Sequence, residues 1–293
     1  MIEWVANSFE FLRANQPIAE VDVISLKRNS KGELVNATGL RSRSSSIYSP
    51  NQSEPFRISR SKFSDFLSCR RCFYLDRVKG LVSPSMPGWS LNETTDLLLK
   101  KEFDDCREKQ IPHKIFSKFG LTNVVPFMHK DLDKWRDSLR HGLEYQIDGT
   151  NIILHGGIDD IWYDQNEEKL IVVDYKSQAS LQTVEERRYL AGVYHQGYKI
   201  QLDVYAYLLK LMSFDVSPTG YFYVCNGDRS AAGFDGRIIF EETLVPYRWN
   251  VDWIEEKVSE MVQVLNSDEL PKVNSSCENC AYSIQRAVIE SWV

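Results

Sequence analysis

Two short stretches carry the residues best suited to chemistry. In "HGGIDDIWYDQNEEKLIVVDYKSQ", residues 155–178, the adjacent acids Asp159 and Asp160 are followed by a polar loop, an apolar run and then Asp174-Tyr175-Lys176. With the loop taken as Asp164 to Lys169, Tyr163 faces Leu170 across a hairpin and Asp159 lies opposite Asp174. Opposed residues, and residues two apart along a strand, point to the same face of a sheet. Asp159, Asp174 and Lys176 then share one face, and Asp160 and Tyr175 the other. A slip of one residue in the pairing would exchange Asp159 for Asp160.

Opposed carboxylates repel unless something offsets the charge. A hard divalent cation such as Mg²⁺ does so, held by one or two carboxylates and completed by water and phosphate oxygens. A lysine beside it would orient the attacking water and stabilise charge building on phosphorus. The three side chains therefore suit metal-assisted phosphodiester hydrolysis; the plainer reading of the same residues is a salt bridge at a strand end. Gly156 and Gly157, just before the acids, would allow a ligand to approach the backbone closely.

The second stretch is a divided one. Cys69-x-x-Cys72 and Cys277-x-x-Cys280 supply four of the six cysteines. Two such pairs are a ligand set for a four-thiolate site, either zinc or an iron–sulfur cluster. Structural disulfides are not expected in a cytoplasmic chain. Cys106 and Cys225 read as buried fillers.

The elements that must position these groups follow from periodicity. Weak helical and strand patterns at residues 1–28 lead into a stretch rich in Ser, Asn, Gly and Pro, read as a linker or mobile arm, so that residues 1–56 form an amino-terminal segment and 57–293 the main domain. A helix pair is expected over 58–80, a helix over 91–110 with Leu97, Leu98 and Phe103 facing inward, and another over 131–146. Period-two patterns then predict strands near 151–163 and 170–176. A helix over about 185–210, strands at 220–227 and 236–247, and a helix over 249–266 complete the pattern. The expected fold is α/β, a mixed central sheet flanked by helices.

At 293 residues the chain suits one large domain with appendages. Net charge is −6, yet residues 38–80 hold nine Lys or Arg against three acids. Such a segment can guide phosphates toward an acidic site, or simply form a solvated arm. The start lacks the apolar core of a signal peptide and no apolar run reaches the length of a membrane span, so a cytoplasmic protein with no membrane partner is expected.

"GGIDDIW" followed by "IVVDYKS" resembles the paired motifs of the PD-(D/E)xK nuclease superfamily, in particular the RecB nuclease domain and the CRISPR-associated RecB-like exonucleases, over residues 57–285. The resemblance implies a restriction-endonuclease-like fold whose terminal helical segments are joined by a cysteine metal site. It further implies a Mg²⁺- or Mn²⁺-dependent DNA nuclease, acting as an exonuclease on single strands or duplex ends in repair, recombination or defence. A helicase or another repair or defence protein would be its partner. It matches Asp159, Asp174 and the backbone carbonyl of Tyr175 to metal ligands and Lys176 to the water-positioning lysine. Gln201 and Tyr205, four residues apart on the following helix, match a further motif that orients the lysine or contacts DNA. Asp96 falls where the family often has a metal-supporting histidine, with His113 and His129 as other candidates.

Among the cysteines, the resemblance implies a 4Fe-4S cluster held by Cys69, Cys277 and Cys280. The position of its last ligand falls near Arg286, which leaves Cys72 as a substitute and zinc as an alternative metal. The clamp would hold Arg70, Arg71, Arg77 and Lys79 near the nuclease face to contact DNA. Two other readings are a catalytically inactive DNA-binding scaffold and a metal hydrolase of small phosphates.

Overall fold

A computed structural model describes residues 26–84 and 88–290; most of the pattern read at the amino terminus lies outside them. The chain divides into two compact units, Met1–Leu40 and Arg41–Val293. In the first, the described residues include a bridge between Arg28 and Leu34. The second holds the named elements. Its strands are β1 (Phe56–Ser59), β2 (Val124–Pro126), β3 (Leu143–Gln146), β4 (Ile152–Gly156), β5 (Asp160–Asp164), β6 (Lys169–Gln178), β7 (Thr219–Gly227) and β8 (Phe240–Arg248). Its helices are α1 (Arg60–Ser68), α2 (Arg70–Arg77), α3 (Ser90–Lys109), α4 (Lys114–Lys118), α5 (Leu132–Arg136), α6 (Glu186–Ala191), α7 (Gln196–Leu211), α8 (Ile254–Leu265) and α9 (Glu278–Ile289).

Five strands form the main sheet in the order β2-β5-β6-β7-β8, mixed because β6 and β7 run parallel. Parallel neighbours need a crossover, here α6 and α7. A second sheet has the order β1-β4-β3. Alternation along β6 divides the core in two. Ile171, Val173 and Tyr175 join Leu99, Phe103, Phe116 and Trp162 on the side of α3 and α4. Leu170 and Val172 join Leu202, Val204, Tyr205, Phe222 and Val224 on the other.

The hairpin register is the expected one, with Tyr163 opposite Leu170 and Asp160 opposite Val173. The single strand expected over 151–163 is instead two, β4 and β5, in different sheets, with Gly157, Ile158 and Asp159 as the crossing. The helix expected over 131–146 is confined to α5: the chain leaves helical geometry at Asp137, runs through a turn, and Gly142 at φ +89° leads it into β3. Leu97 and Leu98 are exposed, not inward; Leu99 and Phe103, four apart, carry the buried stripe of α3. The helix expected over 185–210 is interrupted at Gly192 by a 3₁₀ turn, Val193–His195.

From Arg41 onward the Ser-rich stretch is tied down within the second unit. Tyr48 is 1% exposed and its hydroxyl donates to Asn266 Oδ1 at 2.9 Å. Among the described residues no helix is long and apolar enough to cross a membrane.

Candidate active site and metal centre

Pleating sends Asp174 and Lys176 of β6 toward α7. Asp174 is fully buried, and no backbone N–H among the described residues donates to either carboxylate oxygen. The Lys176 ammonium lies against Asp174 Oδ2 as an ion pair. It is also 3.3 Å from the Tyr175 carbonyl oxygen and 4.7 Å from the centre of the Tyr198 ring. Burial, and then the neighbouring Asp159 charge, push the Asp174 carboxyl up to about 7 against the pull of Lys176. Burial alone would lower Lys176, but Asp174 and Asp159 outweigh it and hold the ammonium above the usual lysine range.

Asp159 sits on the bend just before β5, where its Oδ2 accepts the Tyr175 backbone N–H at 2.8 Å. The next acid has a different task. Asp160 is fully buried and accepts from Arg107, from Arg136 at 2.7 Å and from the Tyr175 hydroxyl at 2.7 Å. Its charge is spent on this network, which locks β5 to α3 and α5. The expected separation of the two acids by face therefore holds, and Asp159 is the one beside Asp174 and Lys176.

Gln201 and Tyr205 lie on one face of α7 and touch, Gln201 Nε2 donating to the Tyr205 hydroxyl at 3.3 Å. That hydroxyl in turn donates to the Gly157 carbonyl oxygen, pinning the crossing that carries Asp159. The two glycines serve this packing and not the close approach of a ligand. A Cβ at Gly156 would stand 2.8 Å from the Tyr205 ring, and one at Gly157 2.7 Å from Ser138 Cα. Asp96 lies near enough to Asp159 for that charge, after burial, to raise its pKa, and it pairs with Lys100 at 2.8 Å.

The two histidine candidates are occupied elsewhere. His113 is buried against the Phe103 ring and contacts Glu102 at 3.1 Å, and His129 stacks on Trp135. Of the four basic residues read as DNA contacts, Arg77 is a correction: it is buried and paired with Asp76. Arg70 pairs with Glu260, Arg71 donates to the Pro271 carbonyl at 3.1 Å, and Lys79 lies over the Tyr74 ring.

Three residues escaped the sequence reading. Tyr198 stands three residues before Gln201, on the same helix face, and covers Lys176. Tyr189 of α6 is buried beside it, packed on Phe222, the strand partner of Asp174. Arg60 lies at the start of α1 beside Tyr205, its Nε buried without a hydrogen bond. The Tyr-x-x-Gln-x-x-x-Tyr spacing was the one available signal, and an aromatic at helical period ordinarily means core.

The four paired cysteines converge at the other end of the helical layer. Cys69 precedes α2 and Cys277 precedes α9, and all four sulfurs lie within 4.8 Å of one another. The Cys280 backbone N–H holds the Cys277 thiol down to about 7, while burial and its thiol neighbours push Cys72 up. Four such donors accumulate negative charge that a bound cation would balance. Cys225 is buried as expected, and Cys106 is half-buried.

The sequence profile of the PD-(D/E)XK nuclease superfamily matches residues 57–285, most of the chain. The chain belongs to the PD-(D/E)XK nuclease superfamily. Its fold is the restriction-endonuclease-like one. A candidate exonuclease from Eubacterium rectale, known from a crystal structure, is similar at 12% identity and a TM-score of 0.40, over 77% of this chain and 87% of that one. No curated protein sequence matches.

Superfamily nucleases use divalent metals, and the residues present fit one. Asp174 offers two buried oxygens free of backbone hydrogen bonds, beside Asp159 and the Tyr175 carbonyl. Oxygen donors of this kind suit Mg²⁺ or Mn²⁺.

Proposed function

We propose that the protein is a Mg²⁺- or Mn²⁺-dependent DNA nuclease of the RecB-like branch, acting as an exonuclease on single strands or duplex ends. The observation that carries this reading is the fully buried Asp174, paired with the Lys176 ammonium and close to a second carboxylate, Asp159. Asp159, Asp174 and the Tyr175 carbonyl would hold the metal, with Asp96 behind them. The ion, when bound, supplies Lewis acidity toward a phosphate oxygen and water.

Lys176, kept protonated by its two acidic neighbours, orients the attacking water and offsets charge on the phosphoryl group. Gln201 and Tyr205 act at one remove: they fix the Gly157 carbonyl and so the position of Asp159. Arg70, Arg71 and Lys79 are the proposed surface for the DNA backbone. A helicase or other repair or defence protein is the proposed partner, because unwinding chemistry has no motif in this chain, and the proposed setting is cytoplasmic. The four-cysteine centre clamps the chain ends as a structural metal site.

The test is cleavage of end-labelled single- and double-stranded DNA with Mg²⁺, Mn²⁺ or EDTA, in wild type, Asp174→Ala and Lys176→Ala. Metal-dependent cutting lost in both variants is expected. DNA binding without cleavage under any metal would replace the reading with an inactive scaffold, and loss of both would point to small phosphates.

A further inference from the structure

We infer that the four cysteines hold a single tetrahedral Zn²⁺ and not the 4Fe-4S cluster that the resembled nucleases imply. Size separates the two centres. A zinc ion with Zn–S bonds of about 2.3 Å sets its thiolates about 3.8 Å apart at the corners of a tetrahedron. The observed separations are 3.7 Å for Cys69–Cys280, 3.6 Å for Cys72–Cys277 and 3.6 Å for Cys72–Cys280, and no pair exceeds 4.8 Å. In a four-iron cube each thiolate is carried outward by its own iron, so the sulfurs stand roughly 6 Å apart.

The backbone holds the smaller spacing in place. Each pair straddles the start of a helix, Cys69 and Cys72 at α2 and Cys277 and Cys280 at α9. The two starts are tied together by Asn274 Nδ2 donating to the Ser68 carbonyl at 3.1 Å and by Arg71 donating to the Pro271 carbonyl at 3.1 Å. Cys69 and Cys280 are buried, and their sulfurs stand in direct contact. The residue count agrees. Cys72 completes a symmetrical pair of Cys-x-x-Cys units, and Arg286, where a separate fourth cluster ligand would stand, is exposed and paired with Glu290 at 2.8 Å. Zinc has no redox chemistry, so the clamp is a fixed structural joint.

This inference is independent of the nuclease reading. Its test is elemental analysis of the full chain, purified without oxygen from cells supplied with both iron and zinc, for wild type, Cys72→Ser and Cys106→Ser. One zinc per chain in wild type and Cys106→Ser, with no inorganic sulfide and no visible absorption, is expected. Loss of zinc in Cys72→Ser, or failure of that variant to fold, agrees with it. Stoichiometric iron and sulfide in the wild type, or wild-type protein without metal, would overturn it.

A separate observation concerns Tyr189. Its side chain is 4% exposed, yet its hydroxyl has no hydrogen-bond partner among the described residues. Its ring is clamped by His195 at 4.1 Å and Phe222 at 5.8 Å, and Phe222 sits opposite Asp174 in the sheet. A buried hydroxyl left unpaired costs stability, and one near enough to Asp174 to feel its charge points to a ligand that completes it. Resting on the nuclease reading, the geometry points to the Tyr189 hydroxyl as a donor to a phosphate oxygen of the bound strand. It adds a neutral donor within electrostatic reach of Asp174 and Tyr198.

Tyr189→Phe removes only the hydroxyl. At unchanged melting temperature it is expected to weaken binding of a single-stranded oligonucleotide in EDTA, or to slow single-turnover cleavage in Mg²⁺, by about 3–10-fold, the worth of one hydrogen bond. Unchanged binding and rate, or losses that follow a lowered melting temperature, would overturn the assignment. A wild type that never cleaves sinks the nuclease reading, while the binding comparison still decides the role of Tyr189.

Discussion

Lys176 carries its ammonium 4.7 Å from the centre of the Tyr198 ring. A cation over an aromatic face gains about 0.5–2 kcal/mol, more as water is excluded. The ring thus holds the lysine over Asp174 when a metal would compete for that carboxylate. Tyr198→Leu is expected to slow single-turnover cleavage about 3–30-fold, with Tyr198→Phe close to wild type. Equal rates in all three proteins would show that the ring is only packing.

The adjacent acids separate cleanly. Asp160→Ala leaves Arg107 and Arg136 facing a buried gap, which costs about 3–5 kcal/mol. Its melting temperature should fall by roughly 10 °C. Asp159→Ala removes repulsion at the metal site and should shift melting by no more than a few degrees while abolishing cleavage. Thermal unfolding beside an activity assay checks both, and the reverse pattern would transfer the metal-binding role to Asp160.

The site was legible where the pattern was bounded on both sides. A polar loop between two alternating strands fixes which residues face each other, and the observed pairing of Tyr163 with Leu170 carries Asp159, Asp174 and Lys176 to their places. The cysteine pairs were readable for a similar reason, since two identical units need each other. The break of β4 from β5 was not, because the apolar alternation runs on through Ile158 while the turn is dictated by contacts with Ser138 and Tyr205. Three successive leucines left the phase of α3 open, and only packing against Trp162 and Tyr175 selects Leu99 and Phe103. Tyr189 and Arg77 could not be classified from sequence, as an unpaired hydroxyl and a buried guanidinium are properties of tertiary structure.

Metal affinity should depend on pH with a definite sign. Asp174 is raised to about 7 in the folded, metal-free protein, above its ordinary value of 3.8. Its contribution to metal-free stability is therefore fully present below that ordinary value and lost as pH rises through about 7. A divalent ion needs the carboxylate, so its affinity should climb about tenfold per pH unit below that point and level off above. Melting curves with EDTA and with Mn²⁺ from acid to mildly alkaline pH should show a metal-induced shift that grows with pH. A shift of constant size would mean that Asp174 is already ionised.

Gly157 fixes the approach to Asp159, its carbonyl held by the Tyr205 hydroxyl and its Cα packed where a side chain would meet Ser138. A methyl group at Gly157 would meet Ser138 Cβ at 2.6 Å, Cα at 2.7 Å and N at 2.8 Å. Two of those are backbone atoms and cannot swing aside as a long side chain would. Gly157→Ala should therefore push the crossing away from α5 and carry Asp159 off the Tyr175 N–H. A loss of roughly 1–3 kcal/mol is expected from the overpacking, with metal binding weakened beyond what the stability loss explains. Tyr205→Phe reaches the same carbonyl without a clash, so it should preserve folding and weaken metal binding more mildly. If Tyr205→Phe binds Mn²⁺ as wild type does, the hydroxyl does not position Asp159, and Gln201 and Tyr205 act on the bound strand instead.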